Sequence, residues 1–406
     1  MIGDRIRQAR LAAGLTQDGV VTRLEDAGLK MTKAALSKYE KGKSEPKQSV
    51  LVLLGRVLGV KSSYFLTDPA LNIEWLAFRK QTKLRKGKQE QIKAFVEDVV
   101  EKQFRLESVF YPQQRPAFPK PRGAATPGDA EAVSQQLRKA WKLHDAPIDS
   151  LVEMVEDKGG FVVEYPEPGI RFDGLSARAA GRPVIVVNTE TSVDRYRYNV
   201  ARELGHLMMS CSNLAPKAAE GLAHRFAAAL LVPADVALRE LGEKRRRLSW
   251  AELGVLKEKH GLSIQAWMRR ARDLKIISEG LYKSLCIEFS TRGWRKHEPY
   301  DYSGHEKPKR LVQMARRAVA ERVISQEEAN RICDDCGADP MAAVEKVTSD
   351  VPSPSELLKL PRAKRARMLA AAAARAETEY RKNPDLTDFD AFGEDDLHVE
   401  GETEKR

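Results

Sequence analysis

A proline-rich stretch at residues 111–130, "YPQQRPAFPKPRGAATPGDA", limits the fold more than any other feature of the sequence. It has proline at positions 112, 116, 119, 121 and 127. Proline has no backbone N–H and interrupts both helices and inner strands. No long regular element can therefore run through this stretch. We predict a linker here, with a compact unit on each side of it.

The segment before the linker predicts a small all-α domain over residues 1–68. The first helix, "IGDRIRQARLAAG", places Ile2, Ile6 and Ala9 near one face and ends at Gly14. Threonines at positions 16 and 32 are suited to cap a second and a third helix. Residues 1–66 contain 12 Lys and Arg against 6 Asp and Glu, a net charge of +6. That excess favours a polyanionic partner.

The second and third helices have the spacing of a helix-turn-helix, with "TKAALSKYEKG" as the reader helix. The segments "RLAAGLTQ" and "LSKYEKGKSEP", in this order, resemble the Cro/lambda-repressor (Xre) type, although the turn "EDAGLKM" is longer than usual. The resemblance implies that the protein binds double-stranded operator DNA as a homodimer. The alternative is a plain helical bundle with a solvated lysine face. The predicted DNA-binding residues are Gln17, Thr32, Lys33, Ala34, Ser37 and Lys38.

Residues 129–300 predict a second compact unit of the α+β class. Three strand-like segments, "FVVEYPE", "FDGLSARAA" and "GRPVIVVNTE", come before the helices "VDRYRYNVARELGHLMM" and "AAEGLAHRFAAALLVP". The first of these helices contains "RELGH" at residues 202–206. This segment differs from the His-Glu-x-x-His motif of zinc hydrolases at one position. Glu203 and His206 occupy motif positions, and Arg202 stands where the first histidine would be.

The order of these segments resembles the ImmA/IrrE-type zinc peptidases, which have a zincin-like fold. In that family a Glu-x-x-Ala-x-x-Phe-Ala helix carries the third ligand, and "EGLAHRFA" matches it here. The resemblance implies that Glu203 would be the catalytic base of an active enzyme, with His206 and Glu220 as metal ligands. Arg202 departs from the family pattern.

Arginine at position 202 argues against zinc. A catalytic zinc site uses three protein ligands and an open position, and a protonated guanidinium has no lone pair to offer. His144, His224 and His260 do not lie one turn before Glu203. We therefore expect a degenerate site and no zinc cofactor. Arg202 either replaces the metal by a bidentate pair with Glu220, or points to solvent.

Two other segments have ambiguous motifs. Cys333 and Cys336 have the spacing of half a zinc site, but no second pair exists, so we interpret the spacing as incidental. The basic segment "KEKHGLSIQAWMRRARDL" at residues 257–274 is itself like a helix-turn-helix. It favours packing beside the core, with a second DNA contact as the alternative.

The C-terminal part predicts a helical connector over residues 301–350 and a tail over 351–406. The tail sequence "DFDAFGEDDLHVE" alternates carboxylates with Phe389, Phe392 and Leu397. Such a segment has too few apolar groups to fold alone but enough to bind another protein. It resembles the C-terminal segments of antitoxins, which implies a toxin partner. A disordered solubilising tail is the alternative.

The sequence as a whole predicts a multidomain fold: an all-α helix-turn-helix domain, an α+β zincin-like domain and a helical C-terminal tail. Residues 69–128 are the connector and linker. Four cysteines in 406 residues suit a reducing compartment, and no apolar run reaches the ~18 residues of a membrane span. We expect a cytoplasmic protein that does not contact membranes.

The predicted function is a DNA-binding transcriptional regulator, the antitoxin and autorepressor of a toxin–antitoxin pair. Two alternatives stay open. One is a zinc metallopeptidase that cleaves a repressor or partner under stress. The other is a transcription factor whose middle domain senses a ligand and has no tightly bound protein partner.

Overall fold

The computed structural model describes residues 2–67, 71–76, 85–113, 115–166, 173–295, 297–335, 361–362, 364–370 and 373. By its contacts the chain divides into two compact units, Met1–Ala338 and Asp339–Arg406. In the second unit, residues 362 and 364–370 are helical. Cys336 and the acidic tail at 388–400 lie outside the described residues, so the predictions made for them stay predictions.

The N-terminal part is helical, with α1 Ile2–Ala12, α2 Gln17–Asp26, α3 Lys33–Glu40, α4 Gln48–Leu58 and a 3-10 helix Ser62–Leu66. Both predicted caps are present: Thr16 accepts a hydrogen bond from the Gly19 N–H at 3.0 Å, and Thr32 accepts one from the Ala35 N–H at 3.2 Å. Gly14 ends α1 with φ +69°, a conformation that glycine adopts without strain. The buried core of this part includes Ile6, Val20, Leu24, Leu36, Leu54 and Phe65.

The rest of the first unit contains further helices and two small sheets. The helices are α5 Lys86–Phe110, α6 Pro127–Ala140, α7 Leu151–Asp157, α8 Val193–Met208, α9 Pro216–Leu231, α10 Ala234–Leu241, α11 Trp250–His260, α12 Ile264–Asp273, α13 Glu279–Thr291, α14 Arg310–Ala320 and α15 Gln326–Asp335. No single helix among the described residues has both the length and the apolar composition to cross a membrane. Pro216–Leu231 and Ala234–Leu241, bent by 64°, satisfy that test only as a pair.

The main sheet has the order β1-β4-β5-β3, with β1 Ile73–Trp75, β3 Phe161–Glu164, β4 Gly174–Ala179 and β5 Arg182–Val187. β5 pairs in parallel with β3 and antiparallel with β4, and β4 pairs antiparallel with β1. β5 is buried from Pro183 to Val187. Its continuous apolar run is therefore explained by cover on both faces of the sheet.

Alternate residues of β3 and β5 belong to two separate hydrophobic cores. Val162, Ile185 and Val187 face the core that contains α8 and α9. Phe161, Val163, Val184 and Val186 face the core that contains α5 and α14. The sheet is thus a middle layer between two helical layers, and its period-2 alternation assigns each side chain to one of them.

The predicted linker differs from the structure over residues 115–126. The backbone of Ala117 pairs with Lys158, and its carbonyl accepts a hydrogen bond from the Trp141 indole N–H at 3.0 Å. Phe118 packs edge-on against Trp141, and β2 Arg122–Gly123 pairs in parallel with β6 Met209–Ser210. The packing of Phe118 on Trp141 and the backbone hydrogen bonds hold this proline-rich segment in place. The domain boundaries drawn from the sequence stay predictions.

The helix-turn-helix part is fixed to α5 by a buried ion pair. Arg5 on α1 donates to both carboxylate oxygens of Glu101 on α5, at 2.7 and 2.9 Å. The Arg5 guanidinium also lies 3.9 Å from the centre of the Tyr64 ring. Because α5 covers the second face of the sheet, this helix links the N-terminal core to the sheet.

Candidate charged site and DNA-binding surface

The charged site is built where α8 and α9 pack closely. Gly205 on α8 permits this approach, because a Cβ there would lie 2.9 Å from Cδ1 of Phe226 on α9. Arg202, Glu203 and His206 project from α8, and Glu220 projects from α9. The structure therefore brings together all four residues that the sequence assigned to the degenerate metal motif.

Arg202 bridges two carboxylates. Its Nη1 donates to Oε1 of Glu220 at 2.7 Å, and its Nη2 donates to Oε1 of Glu203 at 2.7 Å. The side chain is only 11% exposed, so the alternative that it points to solvent is wrong. The predicted bidentate pair with Glu220 is also wrong, because the two nitrogens go to different carboxylates. The two carboxylates raise the pKa of Arg202 against the opposing effect of burial.

Glu203, the predicted base, is held from two sides. It is buried, and its second carboxylate oxygen accepts a hydrogen bond from the Ser176 hydroxyl of β4. A Cβ at Gly174 would lie 2.9 Å from Cγ of Glu203, so glycine at that position lets the sheet approach α8. Ser176 and Gly174 lie in "FDGLSAR", but nothing in the sequence pattern assigned them to this carboxylate.

Glu220 and His206 form the second half of the cluster. His206 Nε2 donates to Oε2 of Glu220 at 3.1 Å. Burial alone would raise the pKa of Glu220, but the His206 hydrogen bond and the Arg202 charge lower it to about 2. Burial opposes protonation of His206, yet the contact with Glu220 and the charge of Glu203 leave its pKa above the ordinary value. The cluster thus favours cationic His206 beside anionic Glu220.

His224 completes the surroundings of Glu220. Its Nε2 lies 3.5 Å from Oε1 of Glu220, and its Nδ1 lies 3.1 Å from the Tyr198 hydroxyl. Burial, reinforced by the charge of Arg269, lowers the pKa of His224 to about 4, so the imidazole is neutral at pH 7. From the sequence, His224 was considered only as a replacement for the missing first metal ligand. Its position four residues after Glu220, on the same face of α9, was the available signal.

The geometry does not fit a zinc ion at the first-ligand position. Arg202 has no lone pair for a metal, and its guanidinium lies 2.7 Å from the Glu220 oxygen that a dication would need. Each Glu220 oxygen already accepts a hydrogen bond from a cationic or protonated group. A dication here would displace the guanidinium and meet its charge at close range. We therefore derive no chemical step through a metal.

Five of the six predicted DNA-binding residues lie on α3 or at its N-cap, and four of them are exposed. Thr32, Lys33, Ala34 and Lys38 are exposed, while Ser37 is half-buried. Lys33 donates to Asp18 at 2.7 Å, and both side chains remain largely exposed. This surface offers cations and a helix N-terminus to a phosphate backbone.

Gln17 has a role inside the domain. Its amide donates to Oε2 of Glu40 at 2.8 Å, and the same carboxylate accepts two hydrogen bonds from Arg10, at 2.5 and 3.0 Å. Glu40 is buried at the end of α3. The network therefore joins α1, α2 and α3, and the Gln17 side chain is not free to meet a phosphate unless it leaves Glu40.

Two cations of the second basic segment, residues 257–274, are buried in the core. Arg270 is fully buried, donating to the Val232 carbonyl and to Glu131. Lys257 is also buried and pairs with Asp194 and Glu298. These contacts favour core packing for α11 and α12, as the sequence predicted.

Two family models match the chain. A model described as helix-turn-helix matches residues 6–65, and a model described as IrrE N-terminal-like domain matches residues 160–272. No protein of curated function matches the chain. The chain is therefore a fusion of a helix-turn-helix domain of the Xre type with an ImmA/IrrE-like domain, as the sequence predicted. The helix-turn-helix domain makes it a DNA-binding regulator, and the charged cluster lies within the second matched range.

Proposed function

We propose that this DNA-binding regulator is the antitoxin and autorepressor of a toxin–antitoxin pair, and that its ImmA/IrrE-like domain binds rather than cleaves. The observation that carries the proposal is the bridge from Arg202 to Glu203 and Glu220. The guanidinium satisfies both carboxylates, so the cluster needs no metal to be stable. The proposal therefore assigns a binding role to the ImmA/IrrE-like domain.

The partner-binding half of the proposal rests on the composition of the tail. Phe389, Phe392 and Leu397 alternate with carboxylates in the sequence, a pattern suited to anchoring on a basic protein surface. A ribonuclease toxin offers such a surface, since it binds a polyanion. The exposed lysines of α3 would meanwhile hold the regulator, as a dimer, on its own promoter in the cytoplasm.

The test is co-expression of the full chain with the small protein encoded beside it. We expect the two proteins to copurify. We also expect the full chain to restore growth to cells in which the neighbouring protein, the proposed toxin, inhibits growth. The variant Phe389→Ser with Phe392→Ser should lose both effects while keeping promoter binding. If the full chain neither binds nor neutralises the neighbouring product, the antitoxin assignment fails, and a regulator without a protein partner takes its place.

One arrangement favours the second candidate, a zinc metallopeptidase that cleaves a partner under stress. Glu203, His206 and Glu220 lie together as a base and two ligands would. Metal analysis of the native protein and the variant Glu203→Gln separate the two functions. Stoichiometric zinc, together with partner cleavage that Glu203→Gln abolishes, would establish the enzyme and overturn the binding proposal.

A further inference from the structure

A cavity of about 470 Å³ lies beside the charged cluster. Its walls come from α8, from the start of α12 and from Arg295, His297, Glu298 and Asp301. The α8 wall contributes Tyr198, Asn199 and Arg202. The volume falls within the ~300–1,000 Å³ that is usual for small-molecule sites.

Two buried donors at this wall have no acceptor among the described residues. Asn199 is 5% exposed, and its Nδ2 has no hydrogen-bond partner. Nε of Arg202 is likewise buried and unpartnered, although both Nη atoms are engaged. A buried donor without a partner is energetically unfavourable. An acceptor group inside the cavity would satisfy these donors.

The cations of the wall are less well paired than its carboxylates. Arg195 pairs with Asp173, and Lys257 pairs with both Asp194 and Glu298. Arg269, in contrast, only reaches Asp273 at 4.0 Å.

Arg295 is an exposed lining residue with no ion pair among the described residues. Asp301 is the lining carboxylate in the same situation, and Lys257 is shared by Asp194 and Glu298, so over the whole lining five Lys and Arg side chains face four Asp and Glu. The excess favours an anion that supplies acceptor oxygens.

We propose that this cavity binds a small organic anion through a carboxylate or phosphate group. The oxygens of that group accept hydrogen bonds from Asn199 and Arg202, and Arg269 and Arg295 balance its charge. Binding is non-covalent and leaves the Arg202 bridge intact, because it uses the free Nε. The ImmA/IrrE-like domain is then an effector-binding module, a function additional to binding DNA and a protein partner.

The experiment titrates the full-length protein with citrate and, separately, with inorganic phosphate, at constant ionic strength set by sodium chloride. Isothermal titration calorimetry gives the affinity, and the melting temperature reports the folding of each variant. We expect saturable binding by at least one probe. The citrate and phosphate arms distinguish a carboxylate ligand from a phosphate ligand.

Two variants test the assignment of the donors and the charge. Asn199→Leu and Arg295→Ala should each weaken the affinity by about tenfold or more, since the first removes a hydrogen bond to the anion and the second removes a compensating charge. Neither side chain makes a hydrogen bond or ion pair with another described residue, so both variants should fold. Arg246→Ala is the matched control, an exposed cation outside the cavity, and should bind like the unmodified protein.

Two results would overturn the proposal. One is the absence of saturable binding by both probes. The other is equal affinity in Asn199→Leu, Arg295→Ala and Arg246→Ala, which would identify the signal as non-specific ion binding at other surfaces.

Discussion

Nη1 of Arg202 lies 2.7 Å from Oε1 of Glu220, and this contact joins α8 to α9. Two largely buried carboxylates at one place need compensating charge, because isolated anions are strongly disfavoured there. A zinc ion would supply two positive charges. Arg202 supplies one, and His206, with its raised pKa, supplies up to one more. The cluster therefore keeps the charge balance of a metal site with side chains alone.

We expect Arg202→His to gain zinc. The substitution removes the guanidinium and restores an imidazole one turn before His206, which gives three ligands of the kind that zinc accepts. Metal analysis after dialysis should find close to one zinc per chain in the variant and far less in the unmodified protein.

Arg202→Met is the matched control for that variant. It removes the same cation without adding a ligand, so it should stay free of zinc. It should also lose about 3 kcal/mol of stability, because Glu203 and Glu220 lose their common partner. Equal zinc content in Arg202→His and Arg202→Met would show that more than one ligand has been lost.

Acid should weaken the cluster through Glu220. Its pKa is about 2 in the folded chain against an ordinary 4.5, so its stabilising contribution is present above pH 4.5. That contribution is lost as the pH falls towards 2. The loss amounts to at most about 3 kcal/mol. Melting temperatures measured from pH 7 to pH 3 should show the decline.

Glu220→Gln isolates this contribution, because glutamine does not titrate. The unmodified chain should melt above the variant at pH 7, and the difference should shrink as the pH falls below 4.5. A difference that stays constant down to pH 3 would exclude Glu220 as the titrating group.

His206 should titrate above its ordinary range, and the same substitution should reverse this. The contact with Glu220 and the charge of Glu203 favour the imidazolium, so its contribution to stability is complete below pH 6.5. It is lost as the pH rises through the raised folded pKa. NMR titration of the imidazole should give a pKa above 6.5 in the unmodified chain and a lower one in Glu220→Gln. An unchanged pKa in the variant would contradict the pairing.

Features set by neighbouring residues were predictable from the sequence. Thr16 and Thr32 cap helices in the structure because capping needs only the next three residues. Gly14 ends α1 for a similarly local reason. The strand-before-helix order of the ImmA/IrrE-like part likewise predicted its class.

Features that depend on distant contacts were not predictable. The pairing of Ile73 with Ala179 at the sheet edge joins positions 106 residues apart. The docking of Phe118 on Trp141 and the place of His224 beside Glu220 depend in the same way on tertiary packing. Arg202 could be recognised as a departure, whereas its second partner, Glu203, required the geometry.

The ion pair between Arg5 and Glu101 should contribute to stability. Both side chains are nearly inaccessible, at 2% and 7% exposure, so Arg5→Leu removes the charge partner of a buried carboxylate that still pairs with Arg105 at 2.6 Å. We expect a loss of about 2–3 kcal/mol, less than for a fully unpaired buried charge. Chemical denaturation measures it. Arg7→Leu is the control, because its pair with Glu90 is long and exposed, and an equal loss in both variants would contradict the assignment.

Lys33→Ala with Lys38→Ala should weaken DNA binding and lower its salt dependence. Both lysines are exposed on the predicted reader helix, and each phosphate contact adds about 0.9 to the slope of log affinity against log salt. The double variant should therefore bind a duplex from upstream of its own gene about tenfold or more weakly, with a slope reduced by about 2. Fluorescence anisotropy at several salt concentrations gives both quantities.

Arg246→Ala with Arg247→Ala removes the same charge from an exposed loop between α10 and α11 and should leave both the affinity and the slope unchanged. Equal losses in the two double variants would mean that net charge, and not the surface of α3, determines the affinity.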